Sequence, residues 1–279
     1  MREHAAPVPI NINGDALLDI VGTGGDGAHT FNISTAAAFV IAGSERKVAK
    51  HGNRAASSLC GSADVLAELG VNLDLTPEQV GRCIDEVGIG FLFAPKFHPA
   101  MKHAIGPRKQ IGQRTIFNIL GPLTNPAGAT QQLIGVFDPD LTEPMAIVLG
   151  DLGCEAALVV HGHGGLDELT TDGPNRVSQL KNGQVVTYQL DAADFGLRRA
   201  SIAELRGGKP AQNADMLCAV LTNEDDTPRR DVVLLNAAAA LAAENGDFPT
   251  AITEARAALE SGAALRKFND FTEMSQSFA

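Results

Sequence analysis

Three short segments carry residue types that can hold a phosphate ester and a hard cation. The first is Gly22-Thr23-Gly24-Gly25-Asp26-Gly27, directly followed by Asn32, Ser34 and Thr35. Glycines let the backbone turn with its N–H groups pointing inward, and a helix start just beyond adds partial positive charge. That combination predicts a phosphate or pyrophosphate cradle; taken alone, a glycine-rich run is equally a bare turn. It is neither a Walker A loop nor a dinucleotide fingerprint, because no Gly-Lys-Ser/Thr follows and the glycine spacing differs. Asn32, Ser34 and Thr35 can serve a ligand, or one of them can cap the helix. The second segment, Val48 to Arg54, offers Lys50 as a point charge for phosphate, with His51 and Asn53 beside it. Its cations Lys47 and Arg54 also read as surface charges, and His51 as a hydrogen-bonded strand-end residue. The third, His161 to Glu168, sets Asp167 and Glu168 side by side on a glycine-rich loop. Mg²⁺ uses one or two carboxylates and takes its remaining oxygens from water and phosphate. His161 and His163, spaced i, i+2 without a third soft ligand, make a poor transition-metal site.

The elements that must position these segments follow from periodicity. Short apolar runs alternate with helical stretches, as in parallel strands joined by crossover helices. Strands are expected at Leu17–Val21, Lys47–Lys50, Gly90–Phe93, Leu133–Phe137 and Ala157–His161. Each chemical segment then sits at a strand's carboxyl end, where open parallel sheets bind ligands, so the three should converge. Thr76, Pro77 and Gln79 predict a capping box opening a helix whose face is Val80, Cys83, Ile84 and Val87. Another helix should run from Ser62 to Gly70. Asn182-Gly183 predicts a hairpin. From Asp231 onward the chain is Ala-rich and helical, expected to cover the sheet without chemistry of its own. The segment Phe117 to Pro126 is rigid, apolar and turn-rich, and is assigned no chemical role.

Composition narrows the partners. A chain of 279 residues, 44% apolar and 20% charged, buries a sizeable core in one large domain or two small ones. Its net charge of −11 and pI near 5.0 argue against nucleic acid or an anionic membrane as partner. Cys60, Cys83, Cys154 and Cys218 are scattered, which indicates neither a zinc site nor a disulfide framework and fits a reduced cytoplasm. The first residues lack an apolar signal region, and no run of 18 apolar residues occurs, so export and membrane insertion are not expected. Between Val87 and Phe137 there is no acidic residue where about six would be expected. Lys96, Lys102, Arg108, Lys109, Arg114, His98 and His103 lie there, a local positive surface for an anion or a solvated basic face.

Taken together and in order, GTGGDG at 22–27, NISTA at 32–36, KHGNRA at 50–55, GSADVLAELG at 61–70, FAPKFHPAM at 93–101, TIFNILGPLTNP at 115–126 and GLDEL at 165–169 resemble the anthranilate phosphoribosyltransferase family of tryptophan biosynthesis. The resemblance implies an α/β fold: a mostly parallel sheet flanked by helices, a phosphoribosyltransferase catalytic domain of the nucleoside-phosphorylase type, over 14–94 and 115–279. It implies the remnant of a small helical domain over 1–13 and 95–114. It implies a reaction in which the amine of anthranilate attacks C1 of phosphoribosyl pyrophosphate (PRPP) and pyrophosphate leaves, with Mg²⁺. Carried over by position, Gly22, Thr23, Gly24, Gly25, Asp26, Thr30, Asn32, Ser34, Thr35 and Lys50 look like PRPP contacts. Ser34, Asp167 and Glu168 look like the metal shell. Gly22, His51, Asn53, His98 and Arg108 look like the anthranilate path, with the Arg108 fork suited to its carboxylate. No obligatory general base is implied, since alignment and charge stabilisation suffice for a good leaving group.

Two departures from the family pattern stand out. Gly164 occupies a position where relatives often carry Asp. Relatives also begin with several helices before the first strand, of which Met1–Ala5 resembles only the tail. The expectation is a homodimer weakened by their lack, which binds PRPP and Mg²⁺. Competing readings are a catalytically weak fragment, a nucleic-acid-binding relative of the same fold, and a pyrimidine nucleoside phosphorylase. The last would show a Ser-Gly-Arg-Gly type segment where Lys50 to Arg54 stand.

Overall fold

The computed structural model describes residues 1–11, 14–55, 58–103, 106, 110 and 115–279. Strand β1 (Leu17–Gly22) leads through the glycine turn to helix α1 (Ile33–Gly43), then to β2 (Lys47–Gly52), α2 (Ser62–Glu68), α3 (Pro77–Glu86) and β3 (Ile89–Phe93). Two single-turn helices, Ala94–Phe97 and Phe117–Leu120, precede β4 (Gln131–Gly135). Helix α4 (Thr142–Asp151), β5 (Ala156–His161), β6 (Asn175–Lys181) and β7 (Gln184–Leu190) complete the sheet. Helices α5 (Pro210–Leu221), α6 (Pro228–Leu241), α7 (Phe248–Glu260) and α8 (Ala263–Gln276) close the chain.

The seven strands lie in the order β3-β2-β1-β4-β5-β6-β7. The first five run parallel, and β6 and β7 return antiparallel. The chain moves outward from β1 to β2 and β3, then crosses back to β4 on the other side of β1. That reversal makes the β1/β4 boundary a topological switch point, where a crevice opens beyond the strands' carboxyl ends.

Both faces of the sheet are covered, which explains why the strands read as continuous apolar runs. Alternate residues divide between two apolar clusters. Leu133, Leu158 and Val160 join α1, α6, α7 and α8. Ile134, Val136, Ala157 and Val159 join Met145, Ala146 and Leu149 of α4.

Most expected elements are found, with β4 beginning and ending two residues earlier than the apolar run suggests because Gln131 and Gln132 pair as strand. The Thr76 capping box forms, with Gln79 N–H donating to the Thr76 hydroxyl and Thr76 N–H to Gln79 Oε1. Gly70 ends its helix at φ +85°, and the Asn182-Gly183 turn takes positive φ at both residues, as a type I′ hairpin requires. Among the described residues no helix is long and apolar enough to cross a membrane. All four cysteines are free.

Candidate active site

The glycine turn leaves β1 at the switch point. Gly24, Gly25 and Gly27 adopt φ of +70°, +82° and +75°, conformations that a β-carbon disfavours. Thr23 N–H donates to Gly135 O at 2.9 Å, tying the turn to β4, and Gly24 N–H donates to Asp167 Oδ2 at 2.5 Å, tying it to the loop after β5. A side chain on Gly22 would collide with the Asp167 carboxylate, and one on Gly135 with the Asp167 backbone. These glycines exist because the Asp167-Glu168 loop lies directly against the strand ends.

Glu168 reaches the start of α1, where its Oε1 accepts Ser34 N–H at 2.9 Å. Lys50, buried at 3% exposure, donates to Ile20 O at 2.7 Å and to Ser34 Oγ at 3.3 Å. The three chemical segments therefore converge: Asp167 on the glycine turn, and Ser34 between Lys50 and Glu168. Burial and the charge of nearby Asp26 push the Asp167 carboxyl up, and burial with the Asp167 charge pushes Glu168 well up. Burial lowers Lys50 to about 8, against the pull of Asp19 and Glu168. A site holding Asp26, Asp167 and Glu168 against a single adjacent ammonium has excess negative charge.

That donor set suits a hard divalent cation. No cage of three or more His, Cys, Asp or Glu side chains is present among the described residues, and Mg²⁺ needs none when phosphate and water complete its shell. His161 is committed elsewhere, its Nδ1 lying 2.8 Å from Val136 O.

The side chain of His51 leaves β2 on the opposite face from Lys50. Its ring meets His98 at a centroid distance of 5.0 Å, and the Nε2 atoms of both rings are buried without a protein partner among the described residues. Burial, His98 and Lys50 lower His51 to about 3, and burial lowers His98 as well. Asn53 is exposed at the end of the same segment; its Oδ1 accepts Arg54 N–H.

Of the remaining candidates, Thr30 pairs with Arg206 in an isolated bridge. Asn32 is the N-cap of α1 without a side-chain capping bond, and Thr35 is buried with its hydroxyl unpartnered among the described residues. Arg108 lies outside the described residues. Lys96 pairs with Asp74, so the acid-free stretch borrows a carboxylate from the preceding segment.

Sequence reasoning missed three polar residues that brace the site. Asp19, fully buried in β1, accepts His51 N–H at 3.1 Å and Asn125 Nδ2 at 2.8 Å, and Asn125 Nδ2 also donates to Ala49 O at 2.8 Å. The segment assigned no role thus holds the base of β2. Asn236 of α6 accepts Leu169 N–H at 3.0 Å and donates to Leu169 O at 2.8 Å, so the terminal helices do more than cover the sheet: one pins the residue after Glu168. The available signal was a polar residue interrupting an apolar run, as Asp19 does between Leu18 and Ile20.

Comparison with known proteins accounts for this arrangement. A glycosyl transferase family α/β-domain model matches residues 14–265. Anthranilate phosphoribosyltransferase of Symbiobacterium thermophilum is 55% identical over 98% of this chain and 80% of its own length, and that of Moorella thermoacetica 52% identical over 100% and 82%. The chain belongs to the anthranilate phosphoribosyltransferase family. Among solved structures of that family, the Thermus thermophilus enzyme superposes with a TM-score of 0.93 at 46% identity, covering 99% of this chain and 82% of that one. The Saccharomyces cerevisiae enzyme in complex with PRPP and Mg superposes with a TM-score of 0.89 at 32% identity, covering 99% and 77%.

Proposed function

We propose that this chain transfers the 5-phosphoribosyl group of PRPP to the amine of anthranilate, giving N-(5-phosphoribosyl)anthranilate and pyrophosphate in tryptophan biosynthesis. The observation that carries it is the meeting of three strand tips at the switch point, with Asp167 on Gly24 N–H and Ser34 shared by Lys50 and Glu168. Neither the phosphorylase nor the nucleic-acid reading finds support among relatives of this identity.

Within this reading, Gly22, Thr23, Gly24, Gly25, Asp26, Thr30, Asn32, Ser34, Thr35 and Lys50 contact PRPP. Ser34, Asp167 and Glu168 hold Mg²⁺, which supplies neutralisation of the diphosphate charge. The turn's N–H groups and Lys50 bind and orient the diphosphate as it departs. On the other face, Gly22, His51, Asn53, His98 and Arg108 receive anthranilate. His51, held neutral by burial, presents an uncharged ring beside the aromatic amine, which attacks in its neutral form without a dedicated base. Alignment does most of the work.

The catalytic domain in this reading comprises 14–94 and 115–279, with 1–13 and 95–114 belonging to a small helical domain; the α/β match beginning at residue 14 supports the first boundary. A homodimer in the cytoplasm completes it, supported by the family resemblance and the free cysteines. Titration calorimetry with PRPP and Mg²⁺ together should give heat that neither gives alone, and added anthranilate should release pyrophosphate. No heat with both present would refute the site; sedimentation analysis tests the dimer.

A further inference from the structure

Asn32 opens α1 with a side chain not spent on the helix, and a buried amide of α5 decides which way it faces. The segment entering α5 runs against the segment entering α1. Phe31 N–H donates to Leu205 O and Gly207 N–H to His29 O, each at 2.9 Å. The approach is close enough that a side chain on Gly207 would strike Phe31 Cα at 2.8 Å and Asn213 Oδ1 at 2.6 Å. Asn213, 1% exposed, sits at the end of this contact. Its Oδ1 accepts Gly208 N–H at 2.7 Å, and its Nδ2 donates to Asn32 Oδ1 at 2.8 Å.

The polarity of this chain is forced. A backbone N–H can only donate, so Asn213 must turn its oxygen to Gly208 and its NH₂ group to Asn32. Asn32 must then spend its oxygen on Asn213, which leaves its NH₂ group for other partners. Cys60 O lies 3.4 Å from that nitrogen, and an amide NH₂ carries two hydrogens. Anions are recognised by donors, and a carbonyl oxygen in the same place would repel them.

We propose that Asn213 is a positioning residue for PRPP: through Asn32 it imposes donor polarity at the start of α1, where the substrate's phosphate oxygens bind. This rests on Asn32 contacting PRPP as read above. Nothing in Asn213 touches substrate; it acts by fixing one amide's orientation.

The isosteric N213D variant tests it. The carboxylate still accepts Gly208 N–H, but it offers Asn32 an acceptor, so the Asn32 amide turns over and presents its oxygen to the anion. PRPP binding with Mg²⁺ is measured by calorimetry, and KM for both substrates by steady-state kinetics, in wild type, N213D, N32A and the double variant. N213D should weaken PRPP about tenfold while moving the anthranilate KM less than about twofold, with a lowered Tm because a carboxylate is buried at a 1% exposed position. In the N32A background it should add no further loss. Equal PRPP losses from N213D with and without Asn32, or parallel losses for both substrates, would overturn the proposal. If N32A binds PRPP as wild type does, the Asn32 contact fails and the positioning role with it. Should N213D not fold, N213A carries the same cycle, with a loss of about threefold that vanishes in N32A; persistence of that loss would refute it.

Discussion

Lys50 and His51 are neighbours in β2, yet the two-residue period of a strand sends them to opposite faces of the sheet, into different chemistry. On the Lys50 face the charged groups are held by polar partners: the ammonium bonds Ile20 O and Ser34 Oγ, and Glu168 takes Ser34 N–H. Asp26, Asp167 and Glu168 still leave that face with surplus negative charge, so burial and mutual repulsion push the Asp167 and Glu168 carboxyls up. On the His51 face burial lowers both His51 and His98 towards the uncharged form, and their Nε2 atoms lie buried without a protein partner among the described residues. In the function proposed above, the Lys50 face takes up metal and diphosphate, and the His51 face takes up a flat aromatic amine with a single carboxylate. In that reading, one strand presents two unlike substrates to one another.

The sharpest way to break that contrast is Lys50→Met. Lys50 is the cation felt by both Asp19 and Glu168, and removing one partner from a buried charge cluster costs about 3–5 kcal/mol. PRPP affinity in the presence of Mg²⁺, read by calorimetry, should fall by more than about a hundredfold. The anthranilate KM should shift less than about threefold. Equal losses for both substrates would mean that the two faces are not chemically separate.

Glu168→Gln sharpens the same contrast by removing charge while keeping the oxygen that accepts Ser34 N–H. Without metal, the variant should unfold at higher temperature than wild type, because a desolvated, repelled carboxylate has gone. The rise in Tm produced by Mg²⁺ plus PRPP should shrink, and PRPP affinity should fall by about ten- to fiftyfold. A metal-free Tm at or below that of wild type would show that Glu168 is not strained by its neighbours.

The legibility of the two faces differs for the same physical reason. The Lys50 face was readable because glycine turns, a strand-end lysine and paired carboxylates are local in sequence, and strand-end geometry brings them together. The strands, the Thr76 capping box and the Asn182-Gly183 hairpin were readable for the same cause: each is decided within a few residues. The bracing was not. Asp19 finds Asn125, Leu169 finds Asn236, and Asn32 finds Asn213 only after folding. Single buried Asn and Asp residues have no periodic signature until their partners are known. Gln132 is the extreme case: level with Asp19 in the sheet, it is buried with both side-chain polar atoms lacking a protein partner among the described residues, and nothing in its sequence neighbourhood marks it.

Acid provides the finest probe of the His51 face, because two adjacent groups there respond to protons in opposite directions. His51 is held at about 3 by burial, His98 and Lys50. As pH falls below 6.5 the unfolded chain takes a proton there that the folded protein refuses, so this residue makes the protein less stable towards low pH. Asp19 is raised to about 6 by burial, against Asn125 and Lys50. Between about 6 and 3.8 the folded protein holds a proton there that the unfolded chain has released, so Asp19 makes the protein more stable as pH falls through that window. Each contribution approaches about 1.4 kcal/mol per pH unit, and in wild type they nearly cancel. His51→Gln should therefore gain stability relative to wild type from pH 6 down to pH 4, and Asp19→Asn should lose it, each by about 1 kcal/mol per unit. Urea unfolding at three pH values in this range separates the slopes. Variants whose stability tracks wild type in parallel would show that the buried histidine and aspartate do not hold opposing protonation states beneath the site.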